Sequence, residues 1–177
     1  MTRRLLLMLP LVGFLVLMLF LYLGLGLNPF HRESKLVQDA RQFPAFELST
    51  LEDPERRVDE SVMRGEVTLV NVWGEWCPEC KREMPQLLDL ADRGVRLVGV
   101  NWKDTREKGR GFLAEFGDPF AVNVFDPEGD LAFELGVYGA PESFLVDADG
   151  VIRYHHTGYI SPSDLRDTIL PEVEKWQ

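Results

Sequence analysis

Both cysteines of this 177-residue chain lie three positions apart in the stretch GEWCPEC, at the point where one structural pattern gives way to another. Residues 66–73, EVTLVNVW, form a β-branched apolar run that predicts a buried central strand. From Cys77 to about Asp92 the apolar residues recur at helical spacing, and Pro78 suits the first turn of a helix. The cysteine pair is therefore expected where a strand ends and a helix begins, a favoured position for catalytic sites in open α/β sheets.

The remaining apolar runs extend this pattern along the chain. FPAFELSTL predicts an opening strand or extended segment, VRLVGVNW and FAVNVFD predict two strands, and Thr105 to Phe116 predicts the helix between these two. A short helix, DLAFELGV, is followed by two apolar runs around Asp149-Gly150 that predict a hairpin. A capping pattern at Ser161 predicts a last helix reaching about Trp176. This order predicts an α/β fold with a central mixed sheet flanked by helices.

The N-terminus carries an uncharged run of 23 residues, Leu5 to Leu27. At about 1.5 Å per residue, such a helix crosses the roughly 30 Å hydrocarbon core of a bilayer. Arg3 and Arg4 precede the run, so the positive-inside rule predicts a cytoplasmic N-terminus. The run is longer than the apolar region of a cleaved signal peptide, which is the alternative interpretation. The predicted organisation is a cytoplasmic end (1–4), a single transmembrane anchor (5–27), a polar linker (28–42) and one domain (43–177) outside the inner membrane, in the periplasm of a bacterium.

The charge of the chain argues against two kinds of partner. The chain has 19 basic and 29 acidic residues, and residues 1–27 contain two arginines and no acid, which leaves a net charge of −12 beyond them. Such a charge opposes binding to nucleic acid and to anionic lipid head groups. No sequence pattern indicates an oligomer, so we expect a monomer.

The spacing of the cysteines favours redox chemistry over a structural role. A disulfide between them would close almost no loop, and a zinc site would need a second ligand pair. At the start of a helix, Cys77 lies near unpaired N–H groups that stabilise a thiolate, so we expect it to be the nucleophile. Cys80, expected to be more deeply buried, would then attack the mixed disulfide and release the product. This chemistry requires no cofactor and no metal ion.

Three glutamates near the sulfurs predict the direction of the reaction. Negative charge from Glu75, Glu79 and Glu83 opposes thiolate formation at Cys77, so the pair is expected to donate electrons. Glu83 lies one helical turn beyond Cys80, where it could exchange protons with that thiol. A reductant in an oxidising compartment needs electrons from across the membrane, so the topology itself predicts an electron-donating partner.

Two parts of the chain resemble known proteins. VNVWGEWCPEC resembles the active-site strand and helix of the thioredoxin fold. GVYGAPESFLVDADGVIRYHHTG, at residues 136–158, resembles the membrane-anchored thioredoxin-like reductases of cytochrome c maturation, the CcmG/DsbE family. The segment NWKDTREKGRGFLAEFGDPFAVNVFDPEGDLA resembles the central insert of that family, and with the anchor the similarity spans nearly the whole chain. The resemblance implies a thioredoxin-like fold.

The resemblance also implies the site residues. It implies a cis peptide bond between Ala140 and Pro141 facing the cysteines, with Pro141 shielding the thiols from metal and the Ala140 backbone free to pair with a substrate strand. Asn71 stands where general thioredoxins carry a buried acid, so Glu83 or Glu142 would have to replace that proton carrier. The implied catalytic residues are Cys77, Cys80, Glu83, Pro141 and Glu142, and the implied substrate contacts are Trp76, Pro78, Tyr138 and Ala140.

The family role would be to reduce the disulfide in the haem-binding CxxCH segment of apocytochrome c, directly or through a partner thiol protein. Electrons would come from a transmembrane thiol reductase related to DsbD or CcdA. Two alternatives stay open: a broad-specificity periplasmic thiol-disulfide reductase, and a thioredoxin-like copper-binding chaperone. Copper chaperones of this fold commonly combine CxxxC with a distant histidine, whereas this chain has CxxC, and the adjacent His155 and His156 would point to opposite faces of a strand.

Overall fold

The computed structural model describes residues 11–18, 20 and 36–177, and the chain divides into two units, Met1–Glu33 and Ser34–Gln177. Residues 11–18 of the first unit are helical. Among the described residues, no helix has both the length and the apolar composition needed to cross a bilayer. Most of the predicted span Leu5–Leu27 lies outside the described residues, so the anchor stays a prediction.

Residues 36–177 contain eight strands, and six of them form one mixed sheet. The strands are β1 (Leu36–Gln42), β2 (Glu47–Ser49), β3 (Arg57–Asp59), β4 (Thr68–Trp73), β5 (Arg96–Trp102), β6 (Val122–Asp126), β7 (Glu142–Val146) and β8 (Val151–Thr157). The large sheet has the order β1-β8-β7-β4-β5-β6, and β2 pairs only with β3. β4, β5 and β6 run parallel, whereas β7, β8 and β1 pair antiparallel to their neighbours. The mixed sheet expected from the sequence is confirmed.

Helices cover both faces of this sheet. They are α1 (Pro78–Asp92), α2 (Arg106–Phe116), α3 (Asp130–Leu135), and a C-terminal helix made of α4 (Pro162–Asp164), a π-helical turn (Leu165–Ile169) and α5 (Leu170–Trp176). A 3-10 turn, Glu60–Met63, precedes β4. These bounds confirm the helices predicted at Cys77–Asp92, Thr105–Phe116 and Ser161–Trp176, each to within a residue or two.

The core consists of two apolar clusters separated by the sheet. Leu69 and Trp73 of β4 pack with α1, α2 and the C-terminal helix on one side, here called the α1 face. Val70 and Val72 of the same strand pack with α3 on the other side, here called the α3 face. Successive side chains of a strand point to opposite faces, and every residue of β4 is buried, so this strand is the centre of the fold. Its C-terminal end leads directly into the cysteine pair.

The folded domain begins earlier than the sequence indicated. Leu36–Gln42 was expected to belong to a polar linker, but it forms β1 and pairs antiparallel with β8. The guanidinium of Arg41 donates to the carbonyl oxygen of Leu135 at 2.6 Å, and the Phe43 N–H donates to the Gly150 carbonyl at 2.8 Å. A strand at the edge of a sheet needs little apolar surface, which is why its polar composition read as a linker.

The opening segment FPAFELSTL, predicted as a strand or an extended segment, contains the three-residue β2, which pairs with β3 outside the large sheet. The Arg106 guanidinium holds this segment against the start of α2 by donating to the backbone carbonyls of Thr50 and Leu51 and to the Ser49 hydroxyl. Directly after Ser49 the segment meets the edge of the large sheet, where Thr50 forms an isolated antiparallel bridge with Val124 of β6.

Candidate active site

The two cysteines form a disulfide that closes the first turn of α1. Their Sγ atoms are 2.12 Å apart, and the Cys77 Sγ accepts the Cys80 backbone N–H at 3.1 Å. Cys77 is the N-cap of α1 and Pro78 is its first helical residue. This position next to unpaired helix N–H groups is the one in which a Cys77 thiolate would be stabilised. The expectation that Cys80 is the more deeply buried was wrong for the disulfide form, since both residues are 1% exposed.

The loop before the cysteines is held by tryptophan packing. The Trp76 indole N–H donates to the carbonyl oxygen of Trp102 at 3.1 Å, and the two rings meet edge to face with centroids 5.6 Å apart. A Cβ at Gly74 would lie 2.5 Å from the Trp76 Nε1, so this close approach requires glycine. Trp76 remains 45% exposed and presents an aromatic surface beside the disulfide.

A second contact ties this loop to the next strand. Asp104 Oδ2 accepts the Glu75 backbone N–H at 2.8 Å and the Asn101 side-chain amide at 3.0 Å. Asn101 belongs to β5, so the carboxylate of Asp104 bridges the end of that strand and the segment entering the cysteine pair. Sequence reasoning missed Asp104, since nothing in its neighbourhood along the chain distinguishes it from a solvated aspartate.

Glu83 lies on the α1 face, fully buried, and bonds to neutral donors. Its Oε1 accepts the Asn71 side-chain amide at 2.8 Å, and its Oε2 accepts the Ile160 backbone N–H at 2.9 Å. The same amide nitrogen of Asn71 donates to the Ser143 hydroxyl at 3.0 Å. Asn71 of β4 thus links Ser143 of β7 to the Glu83 carboxyl group, which lies three residues beyond Cys80. The expected proximity of Glu83 and Cys80 on one helix face follows from this spacing.

Burial changes the protonation of Glu83. Loss of hydration raises the pKa of its carboxyl group from 4.5 to about 7, although the hydrogen bonds from Ile160 and Asn71 act in the opposite direction. No cation contacts the carboxyl group within the described residues, so the charged form lacks the ion pair that would stabilise it. A group with such a pKa is able both to take and to release a proton near neutral pH.

Glu142 also lies next to the active-site end of the sheet, but its surroundings are different. Its Oε2 is 2.6 Å from the His155 Nε2, and its Oε1 accepts the Tyr138 backbone N–H at 3.3 Å. The His155 ring stacks on Phe144, with centroids 4.3 Å apart and planes inclined by 10°. Sequence reasoning missed His155 as a partner of Glu142, although a hairpin centred on Asp149-Gly150 already places His155 opposite Phe144.

Glu83 and Glu142, the two candidates to replace the missing proton carrier, lie on opposite faces of the sheet. Asn71 and Ser143 share the α1 face with Glu83, whereas Glu142 and Phe144 alternate with Ser143 and belong to the α3 face. Glu83 and Glu142 therefore do not form one acidic pair.

Glu75 and Glu79, the other two glutamates near the sulfurs along the chain, each lie close to a basic side chain. The Glu79 carboxylate accepts the Arg82 guanidinium at 2.7 Å, and Glu75 lies 4.0 Å from the Lys108 ammonium group. Arg82 in turn lies over the Tyr159 ring. These basic groups offset part of the negative charge near Cys77, so its effect on the Cys77 thiolate is weaker than the sequence predicted.

The segment before β7 carries the other predicted site residues. The peptide bond between Ala140 and Pro141 is cis, as the resemblance implied. Ala140 is half-buried and packs against the cluster that contains both cysteines. Tyr138, by contrast, is 93% exposed, and Pro78 is exposed at the start of α1. Ala140 also packs against the cluster of the α3 face, so it lies at the boundary of the two clusters, whereas the Tyr138 side chain is at the surface.

The two adjacent histidines point in different directions, as predicted. His155 contacts Glu142, whereas the His156 Nε2 lies 3.3 Å from the carbonyl oxygen of Tyr159. Among the described residues, no three His, Cys, Asp or Glu side chains gather in an arrangement that could hold a metal ion.

Comparison with known proteins agrees with this geometry. The redoxin family model matches residues 38–169. A thiol:disulfide interchange protein DsbE from Pseudomonas aeruginosa is 41% identical over 169 residues, covering 96% of this chain and 93% of its own. The DsbE of Escherichia coli K12 is 39% identical over 180 residues, covering 98% and 96%.

A solved structure described as a thiol:disulfide interchange protein DsbE from Chlorobium tepidum superimposes with a TM-score of 0.66 at 26% identity. The match covers 79% of this chain and 99% of that one. The sheet order, the position of the cysteines and these similarities together confirm the thioredoxin-like fold expected from the sequence.

Proposed function

The chain belongs to the redoxin family and, within it, to the DsbE thiol:disulfide interchange proteins, and from this premise we propose that it is a periplasmic reductant of cytochrome c maturation. The reaction itself is carried by one observation, the disulfide that closes the N-terminal turn of α1. Membership of the DsbE proteins and the resemblance of residues 136–158 to the cytochrome c maturation reductases support the choice of substrate.

The exchange proceeds in two steps on this chain. The Cys77 thiolate attacks one sulfur of the substrate disulfide, which forms a mixed disulfide and releases the other substrate sulfur as a thiolate. Cys80 then loses its proton and attacks the Cys77 sulfur, so the substrate leaves as a dithiol and the Cys77–Cys80 disulfide forms. Two electrons have passed to the substrate. A transmembrane thiol reductase related to DsbD or CcdA would return them by reducing this disulfide.

Glu83 is the proton acceptor that we assign to Cys80. Its pKa of about 7 suits proton exchange near neutral pH, and it lies one turn beyond Cys80 on the same helix. Asn71, which replaces the buried acid of general thioredoxins, keeps the carboxyl group in place by its 2.8 Å hydrogen bond. The role of the missing acid has therefore moved from the strand to the helix.

The substrate binds, in this proposal, across the exposed surface beside the disulfide. Three observations support this position: Trp76 and Pro78, the neighbours of Cys77 along the chain, are exposed, Tyr138 in the segment before the cis-proline is exposed, and within residues 36–177 the backbone of Ala140 makes no hydrogen bond. Unpaired backbone next to a reactive sulfur suits the pairing of an extended substrate segment. The haem-binding segment of an apocytochrome, or a cysteine-bearing segment of a partner thiol protein, is the expected occupant.

The location outside the cytoplasm is inferred from the sequence alone. The uncharged run Leu5–Leu27 and the preceding Arg3 and Arg4 support a single-pass anchor in the inner membrane with the domain on the periplasmic side. A phosphatase that is active only in the periplasm, fused after Gln177, should be active in this arrangement. Activity only of a reporter that requires the cytoplasm would contradict it.

Trapping tests the substrate directly. Full-length Cys80→Ser, expressed in cells that lack the native copy, should accumulate a mixed disulfide between Cys77 and an apocytochrome c or a cytochrome-maturation thiol protein. Cys77→Ser is the matched control and should trap neither. Capture of many unrelated envelope proteins in equal amounts would replace this proposal with the broad-specificity reductase, and absence of any thiol-linked partner would contradict the exchange mechanism.

A further inference from the structure

The contact between Glu142 and His155 links the active-site rim to the middle of strand β8. Glu142 is the first residue of β7, and the register places His155 opposite Phe144, diagonally across from Glu142 on the same face. The oxygen-to-nitrogen distance of 2.6 Å is short, as in hydrogen bonds between charged groups. The Phe144 ring beneath the imidazole fixes its plane so that Nε2 is directed at the carboxylate.

The burial of the two side chains shows which one depends on the other. The Glu142 side chain is 6% exposed and the His155 side chain 28%. A carboxylate with so little access to water needs hydrogen-bond donors from the protein. Within the described residues it has two, the His155 ring and the Tyr138 backbone N–H. Removing the His155 ring would leave the Glu142 carboxylate with the Tyr138 N–H as its one donor within the described residues, and the Tyr138 contact would then be held less firmly.

The Tyr138–Pro141 segment is fastened to the domain at both of its ends. At one end the Tyr138 N–H donates to Glu142, and at the other the Pro141 carbonyl accepts the Gly158 N–H at 3.0 Å. Between these two bonds lies the backbone of Ala140, which has no hydrogen bond of its own within residues 36–177. The position of the Ala140 peptide groups therefore depends on the hydrogen bond from Tyr138 to Glu142. Because His155 holds Glu142, it depends on His155 as well.

We propose that His155 is a positioning residue for the exchange reaction. It holds Glu142, and Glu142 holds the Tyr138–Ala140 backbone in the conformation with which an extended substrate segment pairs. His155 does not contact the sulfurs, since its contacts belong to the α3 face and both cysteines pack on the α1 face. The inference rests on the substrate pairing proposed above. It assigns part of the specificity for protein disulfides to a residue on the α3 face, the face opposite the cysteines.

This role predicts a defect in substrate binding without a defect in sulfur chemistry. In single turnovers of the full-length protein, reduced beforehand, His155→Ala should raise the half-saturating concentration (KM) of a disulfide-closed CxxCH peptide by about tenfold. The limiting single-turnover rate (kcat) for that peptide, and the rate with the small reagent dithiobis(nitrobenzoate), should stay within about twofold of wild type. Hydrogen exchange at the Tyr138 amide should become about tenfold faster. His155→Gln, which keeps a side-chain N–H, should recover most of the KM.

Strand β8 offers a closely matched control. The Arg153 Nε lies 2.6 Å from the Asp147 Oδ2, and these side chains are 26% and 9% exposed, so the pair resembles His155–Glu142 in length and burial. It has no contact with Tyr138 or Glu142. Arg153→Ala should therefore leave the peptide KM and the Tyr138 exchange rate within about twofold of wild type.

The outcomes separate this inference from the function on which it rests. A wild-type protein with no preference for the peptide over the small disulfide would contradict the substrate pairing itself. If that preference is present but His155→Ala leaves the peptide KM or the Tyr138 exchange rate unchanged, the positioning role is wrong. The role is also wrong if peptide and small-reagent rates fall together, or if Arg153→Ala has the same effect.

Discussion

Two buried glutamates, one on each face of the central sheet, show how differently one protein can treat the same side chain. Glu83 on the α1 face bonds to an amide and a backbone N–H, and burial raises its pKa to about 7. Glu142 on the α3 face bonds to a histidine at 2.6 Å. The difference lies in the partners rather than in depth, since both residues are buried. Uncharged donors suit the proton exchange proposed for Glu83, and a short contact with a side chain of the neighbouring strand suits the positioning role proposed for His155.

The largest expected effect comes from placing a second acid beside Glu83. Asn71→Asp would replace a donor 2.8 Å from Oε1 by a carboxylate, so at pH 8 two negative charges would share one buried site. We expect the free energy of unfolding at pH 8 to fall by about 4 kcal/mol, as for an uncompensated buried charge, with a much smaller loss at pH 5. Urea denaturation at the two pH values measures both.

A double variant that combines Asn71→Asp with Glu83→Gln is the control for that experiment. It exchanges donor and acceptor, since the new amide on α1 can donate to the carboxylate introduced on β4 while its oxygen accepts the Ile160 N–H. It should recover at least half of the lost stability at pH 8. A loss in the single variant that does not depend on pH would mean that the site is not governed by charge.

The next effect concerns Glu83 itself and depends on pH in a defined direction. The folded state holds the Glu83 proton up to pH 7, whereas the unfolded chain releases it near 4.5, so stability falls as pH rises between these values. The loss is on the order of 3 kcal/mol and is complete above about pH 8. Glu83→Gln should lack it and should exceed wild type in stability at pH 8. Urea denaturation from pH 4 to pH 8 measures the free energy of unfolding of both proteins. The same pH dependence in wild type and Glu83→Gln would contradict a raised pKa of Glu83.

Glu142 should respond to the same substitution with the opposite sign. Glu142→Gln replaces the carboxyl group that contacts His155 and the Tyr138 N–H, which we expect to lower the free energy of unfolding at pH 7 by about 2 kcal/mol. In a His155→Ala background the same substitution should cost at least about 1 kcal/mol less, because the contact is already absent. If Glu142→Gln instead raised the free energy of unfolding, as we expect for Glu83→Gln, the two glutamates would not differ in the way argued here.

The smallest effect is expected at an exposed acid near the sulfurs. Glu79 is 45% exposed and its partner Arg82 58%, so solvent screens this pair strongly. Glu79→Gln should change the potential of the Cys77–Cys80 couple by less than about 30 mV, and high salt should abolish the change. Redox titration against glutathione measures it. A larger shift would mean that the exposed glutamates near Cys77 determine whether the pair donates or accepts electrons, as the sequence predicted.

The sequence was sufficient for the elements that bury apolar surface. β4, β5 and α1 combine strong periodicity with sharp ends, so both their type and their position could be predicted. β1 could not, because its stability comes from pairing with β8 and not from its own composition. The same holds for the three-residue β3, which exists only through β2.

In the site, residues along the chain were predictable and contacts across strands were not. The cysteines and Glu83 stand on one helix, so their spacing already brings them together. The pairing of Asn71 with Glu83 and Ser143 requires the order of three elements in space. The partner of Glu142 was within reach, because the hairpin turn determines which residues of β7 and β8 share a face.

The two rims of the large sheet bear on what this protein can recognise. At one rim, β6 is covered by a bridge from Thr50 to Val124 and by the Leu51 N–H, which donates to the Asn123 carbonyl. At the other, the outermost strand shifts register between Leu36 and Arg41, an irregularity that discourages foreign chains from adding on. Both edges are therefore poor templates for an added strand, and in the function proposed above an incoming polypeptide would pair at the short stretch beside the sulfurs instead.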